Sequence, residues 1–135
     1  MAPQQLERGE ALVARVPIIR IGDVLIATVQ DELYDHDALQ LQEDLGQFLE
    51  RGVARGVMLD FSTVATVDSF LARLIGTIAA ASRLLGAETV VVGLQPAVAV
   101  TLVELGLTLP GVHTALNAEK GLALLSHLRL DERSG

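Results

Sequence analysis

The chain has 135 residues, 50% of them hydrophobic but only 3% aromatic, and a formal net charge of −7. That length makes a single domain able to bury a sizeable core, and the composition makes the core aliphatic. Acidity with no Trp and one Tyr argues against nucleic acid and against anionic membrane surfaces, and the lack of Cys excludes disulfides and thiolate metal sites.

Met1 to Glu10 is polar, with no apolar signal-peptide core. A cytoplasmic protein with a short tail over residues 1–13 is expected. Two β-branched runs, Val16–Ile21 and Val24–Val29, flank Gly22-Asp23, and a two-residue Gly-X link signals a hairpin. Between Asp37 and Arg51, Ala38, Leu41, Leu45, Phe48 and Leu49 recur at helical spacing opposite a polar face, and Gly52 closes the run.

Val57–Phe61 then reads as a short strand. A helix from Phe70 to Leu85 sets Leu71, Leu74, Ile75, Ile78, Ser82 and Leu85 on one side and stops at Gly86. Thr89–Gly93 is a continuous β-branched strand, of the kind covered on both faces. Pro96 suits the first turn of a helix running to about Leu105. Val112–Ala115 reads as a last strand, and Asn117 as the cap of a final helix with Leu122, Leu125 and Leu128 facing inward. Leu130 to Gly135 is expected to fray.

The apolar stretch from Thr89 to Val112 is about as long as a membrane span. Gly93-Leu94-Gln95-Pro96 interrupts it and Leu109-Pro110-Gly111 closes it, which fits a strand, turn and helix of a soluble core and no membrane insertion. The order β-β-α-β-α-β-α-β-α predicts one α/β domain over residues 14–130, with a mixed β-sheet, a parallel centre and about four helices.

Several chemistries find no support. There is no G-x-G-x-x-G, no G-x-x-x-x-G-K-[ST] and no G-x-S-x-G around Ser69. His36, His113 and His127 fall on different elements. Asp31 to Asp37, "DELYDHD", clusters carboxylates around an imidazole, but in neither the calcium-loop nor the zinc-helix order. Acidic residues before and within a first helical turn are expected from capping and the helix dipole. The segment reads as a solvated cap, with an interaction surface as the further reading. No enzyme, metal or cofactor is expected.

One stretch stands apart: Ala65-Thr66-Val67-Asp68-Ser69-Phe70, between a strand and a largely apolar helix. Either Asp68 or Ser69 suits an N-cap, worth about 1 kcal/mol over Ala, and position alone favours capping. The same position suits a switch. A phosphoryl group on Ser69 would sit over free helical N–H groups and add about −1.5 to −2 of charge. It would lie beside Asp68, and near Asp60 at the strand end. Phe70, if exposed, would supply an apolar anchor.

Asp68-Ser69 at the start of the second helix, within this element order, resembles the STAS domain of anti-anti-sigma factors. More closely, "QDELYDHDALQLQEDL", "VDSFLARLIGTI" and "GLQPAVAVTLVELGL" look like the RsbS type of stressosome scaffold, over Val16 to Leu128. The resemblance implies assembly with an RsbR-type STAS co-scaffold protein into a large hetero-oligomer, with homodimers expected. It also implies sequestration of an RsbT-type serine kinase until Ser69 is phosphorylated, and resetting by a PP2C-type phosphatase. On the loops around 60–70 and 93–96, Asp60, Thr66, Asp68, Phe70 and Gln95 are the expected switch-loop and partner contacts, although no family pattern selects Thr66 as a phosphosite. Simple anti-anti-sigma factors usually carry Asp-Ser-Ser-Gly, whereas this chain has Asp68-Ser69-Phe70-Leu71, which points away from direct anti-sigma binding and toward the stressosome branch. Two other readings stay open. One is a STAS module that binds a small anionic or lipid-like ligand near Gly93 to Pro96, or a transporter partner. The other is an enzyme with Ser69 as nucleophile.

Overall fold

Gly22, at φ +61°, and Asp23 reverse the chain between β1 (Ile18–Ile21) and β2 (Val24–Thr28), which pair antiparallel with Ile21 opposite Val24. Glycine supplies the positive φ that such a tight hairpin needs. The computed structural model describes residues 16–31, 33–52, 54–105 and 111–134, with backbone alone for 129–134. Strands β3 (Gly56–Asp60), β4 (Glu88–Val92) and β5 (Val112–Ala115) add in parallel, giving the sheet order β1-β2-β3-β4-β5. The helices are α1 (Asp35–Glu50), α2 (Ser69–Leu84), α3 (Pro96–Glu104) and α4 (Ala118–Ser134). This is the expected element order, with the antiparallel hairpin at one edge of a parallel centre.

Strand periodicity sends alternate side chains to opposite faces, and here both faces are covered. Leu25, Ala27, Val57, Leu59 and Val91 join Leu41, Leu45 and Leu49 of α1 and Leu71, Leu74, Ile75 and Ile78 of α2 in the larger core cluster. Consecutive parallel strands joined by right-handed crossovers place those two helices on one face. Val24, Ile26, Met58, Val90 and Val92 point the other way and pack with Leu125 of α4, flanked by Leu122 and Leu124. Helix α4 docks closely: a Cβ on Gly121 would lie 2.7 Å from Val92 Cγ1 and 2.8 Å from Met58 Cε. Helix α3 packs Val98 and Leu102 on Ala72 of α2, with Val67 and Leu94 against the same cluster.

Element ends differ from expectation in instructive ways. Helix α1 starts at Asp35 rather than Asp37, because the Tyr34 N–H donates to Asp37 Oδ2 at 3.1 Å and makes Asp37 a buried third residue of the helix. Leu85, expected inward, is the C-cap of α2 and is 45% exposed. Helix α4 continues through Ser134 instead of fraying from Leu130; no Gly or Pro interrupts that segment. Its start is as expected, with the Lys120 N–H donating to Asn117 Oδ1 at 2.9 Å. The expected tail at residues 1–13, the closing Leu109-Pro110 and the terminal Gly135 lie outside the described residues. Among the described residues no helix is long and apolar enough to cross a membrane.

Candidate functional site

Strands β2, β3 and β4 run parallel, so the loops after them gather at their carboxyl ends, where open α/β sheets place their crevices. Here those loops are laced together. The Val29 N–H donates to the Asp60 carbonyl and the Phe61 N–H to the Val92 carbonyl, both at 2.9 Å. The Asp60 carboxylate accepts from the Ser62 N–H at 2.9 Å, and Gln95 Nε2 donates to the Ser62 carbonyl at 3.1 Å. Gly93 adopts φ +76°, and a Cβ there would lie 3.0 to 3.1 Å from Ser62 Cβ, Cα and N. That close approach, together with the left-handed backbone, calls for glycine.

The loop between β3 and α2 is rooted by Phe61 and Val64, both fully buried. The exposed pair Ala65-Thr66 follows, then half-buried Val67. Two bonds reach this loop from the end of β2: Thr63 Oγ1 donates to the Val29 carbonyl at 3.3 Å, and the Ala65 N–H donates to Asp31 Oδ1 at 2.9 Å.

Asp68 is the N-cap of α2. Its backbone is extended, its Oδ1 accepts from the Leu71 N–H at 2.9 Å, and its carbonyl accepts from the Ala72 N–H at 3.1 Å. Ser69 is the first helical residue and is exposed. Of the two residues that sequence position offered as the cap, Asp68 takes it. Asp68 satisfies an orphan helical N–H, which leaves Ser69 unneeded as a cap and reachable from solvent. An anion on its oxygen would stand at the positive end of a sixteen-residue helix.

Thr66, Asp68 and Phe70 line one open hollow of about 510 Å³, together with Asp31, Leu33, Val67 and Leu71. Asp60 and Gln95, the other two expected contacts, converge instead on Ser62. Phe70 is half-buried against the larger core cluster rather than a free anchor. Asp31 is the member of this site whose part is not visible in sequence, where it belongs to the acidic stretch before α1. The hollow lies beside the start of α2 rather than at Gly93 to Pro96, and among the described residues it is lined by two carboxylates, Asp31 and Asp68, which repel a small anion. Among the described residues no three His, Cys, Asp or Glu side chains gather as a metal site.

The family model of the STAS domain matches residues 15–118. This chain belongs to the STAS domain family. It is 32% identical over 108 residues to RsbRD of Bacillus subtilis, described as an RsbT co-antagonist protein; the match takes in 79% of this chain but 39% of that longer protein. Among solved structures it is similar to a serine-to-glutamate variant of RsbS from Moorella thermoacetica, at 37% identity and a TM-score of 0.74, covering 85% of this chain and 97% of that one. A chain from the stressosome, described as a signal integration and transduction hub, matches at 37% identity and a TM-score of 0.73, covering 84% and 98%. The expected STAS fold is thus found, and the expected resemblance to RsbS is met by a solved RsbS chain, while the curated relative is an RsbT co-antagonist.

Proposed function

We propose that this STAS domain is a non-enzymatic regulatory scaffold of the stressosome type, and that Ser69 is its phosphoacceptor. The observation that carries this reading is the arrangement at the mouth of α2, where Asp68 supplies the cap and Ser69 stands exposed beside it. A kinase transferring the γ-phosphoryl of ATP to Ser69 Oγ would add about −1.5 to −2 of charge without removing a structural bond. The added charge would stand next in sequence to Asp68, which lines one hollow with Asp31. The fold survives such a change, while a protein seated on that surface meets new repulsion and lost contacts. A site of this kind changes partners rather than catalysing.

The partners that fit are an RsbR-type co-scaffold, an RsbT-type serine kinase held by the unmodified domain, and a PP2C-type phosphatase that resets it. All would act in the cytoplasm. The similarity to RsbS, to a stressosome chain and to an RsbT co-antagonist supports this choice. Co-elution of the domain, co-scaffold and kinase with and without ATP tests it. The native complex should release kinase when ATP is supplied, and the Ser69→Ala complex should retain it; equal release from both would overturn the reading.

A further inference from the structure

Ser69 is fixed from its helix side by the Asp68 cap. What fixes the approach to it is less local. After buried Val64 the chain is exposed at Ala65 and Thr66 before Val67 turns back toward the core. At that exposed point Asp31 Oδ1 takes the Ala65 N–H at 2.9 Å, from a residue 34 positions away. The segment carrying Asp31 is itself pinned to the loop's root, through the Val29 N–H on the Asp60 carbonyl and Thr63 Oγ1 on the Val29 carbonyl. Asp31 is exposed, fills no core volume, and lines the same hollow as Thr66 and Asp68.

We propose that Asp31 is a positioning residue for Ser69, whose carboxylate holds the backbone of the loop that presents the serine to its kinase. This rests on the phosphoacceptor reading above. In-line phosphoryl transfer depends on placement, and small displacements of a reacting group cost large factors in rate. With Asp31 in place, the loop is tied at Ala65 and again at Asp68, so the serine is offered in one geometry. Without it, the stretch between Val64 and Val67 samples others.

Two variants and two readouts test this. In Asp31→Ala the acceptor is gone; in Asp31→Asn a side-chain carbonyl oxygen can still take the Ala65 N–H. Hydrogen exchange at the Ala65 amide needs no kinase. It should quicken about tenfold or more in Asp31→Ala, the weight of one charge-assisted hydrogen bond, and only about threefold in Asp31→Asn, whose neutral acceptor keeps about half of that bond. Phosphorylation of Ser69 by the RsbT-type kinase should follow the same order, with kcat/KM down about tenfold in Asp31→Ala and largely restored in Asp31→Asn. Unchanged exchange in Asp31→Ala, or unchanged or faster phosphorylation, overturns the inference. So does equal impairment of both variants with Ala65 protected in Asp31→Asn, because the kinase would then be reading the charge itself. If native Ser69 accepts no phosphate, the phosphoacceptor reading fails and the positioning role with it, even where exchange shows the loop held by Asp31.

Discussion

Replacing Asp68 by Ala removes one hydrogen bond, the Leu71 N–H on Asp68 Oδ1 at 2.9 Å, from a helix end whose Leu71 is buried. Caps of this kind contribute about 1 kcal/mol, within a range of about 0.5–2. The carboxylate charge at the helix N-terminus adds about 0.3–1 kcal/mol at low ionic strength. Unfolding entropy near 2.1 cal/mol/K per residue, taken over 135 residues, is about 0.28 kcal/mol/K. A loss of about 1–2 kcal/mol therefore lowers Tm by about 4–7 °C. Asp68→Asn keeps an acceptor oxygen and should lose less than half of that. Ser69→Ala removes no cap and should leave Tm within about 2 °C, as exposed substitutions do. Calorimetry on the three variants reads this directly. An unchanged Tm in Asp68→Ala together with a fall of several degrees in Ser69→Ala would make the serine the cap and remove the physical ground for calling it a switch.

Other substitutions test the packing around the site. Gly121→Leu drives atoms into Val92 and Met58, which already lie 2.7 and 2.8 Å from a bare Cβ position; a loss of about 2–3 kcal/mol in urea unfolding is expected, and native stability would refute the close docking of α4. Gly93→Ala combines a positive φ with crowding against Ser62 and should cost about 2 kcal/mol, seen as a lower urea midpoint. Thr89 Oγ1 is buried with no hydrogen-bond partner among the described residues, so Thr89→Val should stabilise by about 1 kcal/mol; a lower Tm would reveal a partner for the hydroxyl. Ser69→Asp should fold normally but release the kinase incompletely, since one carboxylate carries less charge than a phosphoryl group; full release in the co-elution assay would contradict the charge account.

Features set by local chemistry were legible in the sequence. Gly22-Asp23 names its own hairpin, Asn117 its own helix start, and β5 occupies the expected Val112–Ala115. The start of α1 was less legible because Asp35, His36 and Asp37 all suit a first turn, and only the reach of Asp37 back to the Tyr34 N–H decides the register. The same ambiguity covers Asp68 and Ser69. Both residue types cap helices, so which oxygen meets the Leu71 N–H depends on a one-residue shift that no periodicity encodes. Asp31 with Ala65 and Gln95 with Ser62 join residues 34 and 33 positions apart. Such contacts exist only once parallel pairing has brought the strand ends together, which is why the part played by Asp31 emerges from the fold.

The central claim is that Ser69 takes a phosphoryl group. Intact-mass and site-mapping spectrometry, after incubation with the RsbT-type kinase, ATP and the co-scaffold protein, addresses it most directly. The account predicts a single phosphoryl group, mapped to Ser69 and absent from Ser69→Ala. An unmodified domain in a reaction where the same kinase phosphorylates the co-scaffold would contradict it and leave Ser69 as an ordinary exposed residue at the start of α2.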